Sequence, residues 1–110
     1  MEGFVKGDVI ILDFPFTDFK VFKRRPAVII KTPKGQDVII CQITASSQEQ
    51  SVEISINSED FIQGNLRKNS YIRIDKITTI NNSRIRYKIG TLKQTKVNEI
   101  IERLCDYIKS

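Results

Sequence analysis

Ala27-Val28-Ile29-Ile30-Lys31, then Thr32-Pro33-Lys34-Gly35-Gln36, then Asp37-Val38-Ile39-Ile40-Cys41-Gln42-Ile43-Thr44 is the stretch on which the fold turns. Two runs rich in β-branched residues, each of strand length, flank a segment holding proline and glycine. That arrangement reads as a β-hairpin. Pro26 opens the first run, a place where a strand tolerates proline. In the second run Val38, Ile40, Gln42 and Thr44 point to one face and Ile39, Cys41 and Ile43 to the other. Upstream, Val9 to Phe14 is an apolar run that stops at Pro15. Downstream, Val52, Ile54 and Ile56 alternate with Ser51, Glu53, Ser55 and Asn57, the pattern of a half-buried strand. Ser58 to Asn69 is polar, holds Gly64, and reads as a loop with at most one helical turn. Tyr71 to Ile77 is a further strand, Asn81-Asn82-Ser83 a turn, and Tyr87 to Leu92 a short last strand. Then Val97, Ile100, Ile101, Leu104 and Ile108 recur at helical spacing, with Glu99 and Arg103 paired at i, i+4 and Thr95 as N-cap. The expected fold is mainly β: one domain over residues 1–110, a small antiparallel barrel or strongly bent sheet, closed by a helix at about 95–109.

The chain has 110 residues, a 40% hydrophobic fraction and a 28% charged fraction, which suits a globular domain with one core. It contains no histidine. Histidine acid–base catalysis, Ser-His and Cys-His nucleophiles and the commonest metal ligand are therefore excluded. Cys41 and Cys105 match no metal or redox spacing, and both read as buried free thiols. The N-terminal residues lack a signal-peptide layout, and the longest apolar runs are too short for a membrane span. A cytoplasmic protein without metal, cofactor or membrane attachment is the expectation.

The net charge is +5, and its placement is more informative than its size. Phe19 to Gln36 carries Lys20, Lys23, Arg24, Arg25, Lys31 and Lys34 with no acid. Phe61 to Asn98 carries nine basic residues, Lys76, Arg84 and Arg86 among them, against Asp75 alone. Any single lysine serves solubility. The clustering, if the two segments meet, describes a groove for a phosphate backbone. Tyr71, and Phe16, Phe19 and Phe22, adjoin these segments and offer base stacking or core packing. On the strand from Tyr71, Arg73 and Asp75 share a face with Tyr71 and Ile77. They form either a surface ion pair worth at most about 1 kcal/mol or part of a site, and both readings stand at this point. Thr44-Ala45-Ser46-Ser47-Gln48 gathers hydroxyls that suit phosphate oxygens or an ordinary loop.

Taken in order, Gly7-Asp8-Val9-Ile10, Arg25-Pro26-Ala27-Val28-Ile29, Gln42-Ile43-Thr44, Tyr71-Ile72-Arg73-Ile74-Asp75-Lys76-Ile77, Ile89-Gly90-Thr91-Leu92 and the closing helix resemble the PemK/MazF family of toxin endoribonucleases from type II toxin–antitoxin systems. The resemblance runs from residue 6 to 108. It implies an SH3-like antiparallel β-barrel of the PemK/MazF/CcdB type with a C-terminal amphipathic helix, forming a homodimer. It implies metal-independent, sequence-specific cleavage of single-stranded RNA, mostly mRNA, at short sequences, and a cognate antitoxin with an acidic disordered segment. The motifs carry catalytic roles onto Arg25, Thr44, Arg73 and Asp75. Lys20, Lys23, Arg24, Gln42, Ser46, Ser47, Tyr71, Lys76, Arg84 and Arg86 are the RNA-binding candidates. The scheme expected is attack by the substrate's 2′-hydroxyl, with Asp75 as general base, Arg25 and Arg73 on the phosphate and Thr44 positioning an oxygen. The sequence departs from the family where a supporting histidine has no counterpart and where Ala45 stands in place of a common serine. A non-catalytic toxin that binds DNA gyrase, or a plain RNA-binding barrel, is the competing class.

Overall fold

The computed structural model describes residues 3–15 and 22–110. Its strands are β1 (Asp8–Pro15), β2 (Phe22–Lys31), β3 (Asp37–Thr44), β4 (Glu53–Ile56), β5 (Phe61–Gly64), β6 (Ser70–Asn81) and β7 (Ile85–Leu92), followed by α1 (Gln94–Lys109). Single 3₁₀ turns at Gln50–Val52, Ser58–Asp60 and Asn82–Arg84 link the later strands. All seven strands form one antiparallel sheet in the order β4-β6-β3-β2-β1-β7-β5. The sheet curls into a half-barrel whose edges, β4 and β5, stay apart.

The expected hairpin is present as β2 and β3, paired from Ala27–Gln42 onward. Pro26 is not the strand's first residue. β2 begins at Phe22, and Pro26 lies opposite Ile11 of β1, one position beyond the last β2–β3 pair. With no neighbour on that side, its missing N–H leaves no rung empty. The segment expected to be loop contains β5, which the apolar pattern did not reveal because only Phe61 of its four residues is buried. β5 approaches β7 closely: a Cβ on Gly90 would stand 2.6 Å from the Gln63 carbonyl oxygen and 2.7 Å from the Phe61 ring.

The two faces of the sheet each bury a cluster. One holds Val9, Val28, Cys41, Ile43, Ile54, Ile72, Ile74 and Leu92 beneath Val97, Ile100 and Leu104 of α1. Burying those three helical side chains stabilises the docking by about 1.5–3 kcal/mol each. The other holds Ile10, Leu12, Ala27, Ile29, Val38, Ile40 and Ile80. Thus β3 divides as its alternation predicts, Cys41 and Ile43 on the helix side and Val38 and Ile40 opposite.

Three details of the helix differ from expectation. Its N-cap is Lys93, which makes no side-chain cap bond, so Thr95 lies within the first turn. The entering chain is tied instead by the Lys93 N–H donating to the Asp60 carbonyl at 2.8 Å. Glu99 accepts from Lys96 at 3.0 Å, while Arg103 donates to the carbonyls of Ser51 and Glu53 at 3.4 Å. The last turn extends past the sheet, leaving Cys105 and Ile108 exposed.

Candidate functional site

The helix-free face of β3 changes character along its length, with Val38 and Ile40 in the core and Gln42 and Thr44 beyond it. The neighbours of Gln42 and Thr44 follow from the register. Gln42 pairs with Arg73 and Thr44 with Tyr71 on β6; on the far side of β6, Arg73 pairs with Glu53 and Tyr71 with Ser55 on β4. Two polar rows therefore cross three strands, Gln42–Arg73–Glu53 and Thr44–Tyr71–Ser55. Directly opposed side chains in such rows stand about 4.5–5.5 Å apart at Cβ. From β2, Arg25 lies two residues from Ala27 and so joins the same face.

These rows border a cleft of about 270 Å³ lined by Arg25, Gln42, Ile43, Thr44, Gln48, Arg73 and Lys76. Three of the four proposed catalytic residues meet there, with Gln42 and Lys76 from the RNA-binding set. The fourth, Asp75, does not line the cleft but grips Arg73. The Arg73 Nε donates to Asp75 Oδ1 at 2.9 Å and Nη2 to Oδ2 at 2.8 Å, a bidentate fork. This hydrogen bonding holds the Asp75 carboxyl below its usual range, against some desolvation, and raises the Arg73 guanidinium pKa.

The alternation drawn through Tyr71, Arg73, Asp75 and Ile77 does not continue to its end. The β3–β6 register steps from Gln42–Arg73 to Cys41–Ile77, so residues 74–76 bulge from the ladder. Ile77 is thereby placed opposite Cys41, whose side chain belongs to the helix-side core, and Ile80 joins the core on the other face. An odd number of inserted residues reverses strand parity.

Glu53 is the site residue that alternation misplaced, since it reads there as solvent-facing. It is only 7% exposed. Its Oε1 accepts from the Ser47 hydroxyl at 2.7 Å, and its Oε2 from the backbone N–H groups of Gln48 at 2.7 Å and Glu49 at 3.0 Å. Those bonds, with Arg73 beside it, hold its carboxyl below the normal value of 4.5. The 47–49 turn is folded over the carboxylate, which brings Gln48 to the cleft. An acid five residues after a Ser-Ser-Gln loop was the available signal. Counting charges along the chain hid it, because β4 lies outside the basic segments yet beside Arg73.

The remaining candidates distribute unevenly. Ser47 is committed to Glu53, while Ser46 is exposed and its N–H donates to Thr44 Oγ1 at 3.3 Å. Thr44 donates to the Ser46 carbonyl at the same length. Bonds this long release the hydroxyl cheaply to a better acceptor. Arg24 and Arg86 converge on Asp13, at 3.7 and 3.5 Å, away from the Arg25 cleft. The two basic segments thus meet at two places rather than in one groove. Lys23 is exposed and Arg84 half-buried, and neither lines the cleft. Lys20 lies outside the described residues. A further cleft, about 610 Å³, is lined by Ile11, Ala45, Leu66, Arg67, Tyr87 and Ile89, among others. It opens against the helix-side core and holds none of the catalytic candidates.

Other motif residues are architectural. Asp8 is buried, accepting from the Val5 N–H at 2.9 Å and the Thr91 hydroxyl at 3.0 Å, which ties the start of β1 to β7. Burial pushes the Cys41 thiol up to about 12, with the Asp75 charge adding to it. Among the described residues no three Cys, Asp or Glu side chains gather as metal ligands, and no helix is long and apolar enough to cross a membrane.

Residues 5–108 match the family model described as PemK-like, MazF-like toxin of type II toxin-antitoxin system. No protein of curated function matches the sequence. Among solved structures, an endoribonuclease in complex with its cognate antitoxin from a mycobacterial species superposes with a TM-score of 0.77 at 15% identity, covering 97% of this chain and 96% of that one. MazF from Deinococcus radiodurans gives 0.75 at 16% identity over 100% of both chains. The MazE–MazF complex from the same organism gives 0.74 at 15% identity, covering 96% of this chain and 95% of that one.

Proposed function

Because the chain belongs to the PemK-like, MazF-like toxin family of type II toxin–antitoxin systems, we propose that it is an endoribonuclease that cuts single-stranded RNA without a metal ion. The observation that carries this reading is the convergence of Arg25, Thr44 and Arg73 on one cleft. Two guanidiniums and a loosely held hydroxyl suit a phosphodiester whose charge grows during reaction. Gln42, Gln48 and Lys76 complete a lining that favours an anion.

The reaction is transesterification. The ribose 2′-hydroxyl attacks the adjacent phosphorus, the bond to the 5′-oxygen breaks, and the products are a 2′,3′-cyclic phosphate and a 5′-hydroxyl. Arg25 and Arg73 bind the non-bridging oxygens and stabilise charge developing there; Thr44 donates a hydrogen bond to one of them. An arginine does not serve as the acid, since its side-chain pKa lies above 12, so water protonates the leaving oxygen. Asp75, with both oxygens on Arg73 and its pKa lowered, contributes chiefly by aiming that guanidinium. A carboxylate held below its ordinary range is a weak proton acceptor at neutral pH, and the 2′-hydroxyl proton passes to solvent.

As in the relatives solved with antitoxins, the partner proposed is a cognate antitoxin whose acidic segment competes with RNA for the basic cleft, and the proposed working form is a homodimer. The deciding experiment incubates purified protein with a long single-stranded RNA, with and without EDTA, beside Arg25→Ala. Cleavage that survives EDTA, leaves cyclic-phosphate ends and disappears in the variant is expected. Full activity in Arg25→Ala removes the centre of the scheme, and loss with EDTA contradicts the metal-free route.

A further inference from the structure

Beside the phosphate cleft lies a second one of similar size, about 280 Å³, lined by Ser47, Gln50, Glu53, Ser55 and Tyr71. The two share a wall: Gln48 lines one and Ser47 the other. The Thr44–Tyr71–Ser55 row runs from the phosphate cleft into this pocket, so the half-buried Tyr71 ring stands one strand away from the Thr44 hydroxyl. A flat aromatic wall at one strand spacing from a phosphate site is placed to stack the base next to that phosphate.

The floor keeps one acceptor position open. A carboxylate has about four acceptor positions. Glu53 has three filled, one on Oε1 by Ser47 and two on Oε2 by Gln48 and Glu49, which leaves one on Oε1. Arg73, opposite Glu53 in the register, offsets the negative charge that would otherwise repel RNA. The hydroxyls of Ser47 and Ser55 and the amide of Gln50 can serve a donor or an acceptor, whereas the carboxylate accepts only.

We propose that this pocket holds the nucleobase adjoining the scissile phosphate, stacked on Tyr71 and read by Glu53 as one carrying an exocyclic amine. Adenine, cytosine and guanine each present such a donor at an edge. Uracil has only its N3–H there, set between two carbonyls that the carboxylate repels. The inference rests on the ribonuclease reading above and adds to it a base-selective subsite.

Glu53→Gln isolates the charge. The glutamine oxygen still accepts from the Gln48 and Glu49 N–H groups, and its amide donates to Ser47 Oγ, so the turn keeps its three bonds. Its remaining N–H then offers a donor where the carboxylate offered an acceptor. A randomised RNA pool is cut by wild type, Glu53→Gln, Ser55→Ala and Tyr71→Leu, and the cut ends are sequenced. Wild type should disfavour uracil at one position flanking the cut by about 10–100-fold, the worth of one hydrogen bond to a charged group. Glu53→Gln should restore uracil at that position alone. Ser55→Ala and Tyr71→Leu should shift the preference there, which covers the case in which Glu53→Gln folds poorly. A Glu53→Gln enzyme that is merely slower, with base preference unchanged throughout, overturns the proposal while leaving the ribonuclease reading intact. Unchanged preference in both wall variants does the same. If wild type cuts no RNA, the ribonuclease reading fails instead. The pocket is then judged by NMR titration at Tyr71 and Ser55 with 2′-O-methyl trinucleotides, where equal affinity for cytosine and uracil overturns it.

Discussion

Replacing both members of the Arg73–Asp75 fork tests whether Asp75 acts through its partner. The guanidinium spends its Nε and one Nη2 bond on the carboxylate, at 2.9 and 2.8 Å, and still faces the cleft. Arg73→Ala removes a charged donor from the phosphate, which should cost about 10²–10³ in rate. Asp75→Asn keeps one acceptor oxygen but loses the charge and the second bond, so Arg73 swings and part of that rate is lost. If aiming Arg73 is the whole role, the double variant falls no further than Arg73→Ala, because no guanidinium remains to aim. If Asp75 is an independent proton acceptor, a further factor of about 10²–10⁴ multiplies in. Single-turnover cleavage of a saturating RNA measures all four rates. A double variant as slow as the product of the two singles refutes the aiming role. Thermal melts give a second reading: Asp75→Asn leaves the largely buried Arg73 short of a charged partner, and a loss of about 1–3 kcal/mol is expected.

Acid should weaken the fold through Glu53 as well as Asp75. Both carboxyls have lowered pKa values in the folded state, so their stabilisation is complete above the unfolded-state values, 4.5 and 3.8, and is lost as pH falls through the lower folded values. Melting temperatures of wild type and Glu53→Gln should converge as pH drops below that range, and an identical acid limb in both excludes Glu53 from it. Native protein should take up one equivalent of maleimide, at exposed Cys105, while buried Cys41 reacts only after denaturation; mass spectrometry of tryptic peptides decides it. Gly90→Ala should destabilise by about 1–3 kcal/mol, since its Cβ would meet the Gln63 carbonyl oxygen at 2.6 Å; an unchanged urea midpoint shows that β5 yields freely.

An apolar run marked β1, alternation marked β3 and β4, and helical spacing marked α1, because the apolar residues of each follow the pattern of its element. Such patterns failed where spacing is not the governing quantity. β5 buries one residue of four, too few to make a pattern, and is held by the closeness of its backbone to Gly90. In β6 the bulge breaks the count between Arg73 and Ile77, and only the partner strand reveals it. The cleft residues Arg25, Thr44 and Arg73 were legible because each lies in a short motif. Glu53 was not, as its meaning depends on a turn folding back onto it and on a neighbour twenty residues away in the chain.

The bulge at residues 74–76 also bears on how this chain can change over generations. Strand segments on either side keep separate phase, so the half of β6 that carries Tyr71 and Arg73 and the half that carries Ile80 are not bound to a common frame. A two-residue deletion or insertion there preserves the phase of both halves and alters only the reach of the hump; a single-residue one turns one half inside out. Length variants among natural relatives should therefore differ at this point by even steps. The chemistry of the surface could then drift while the hydrophobic interior stays as it is.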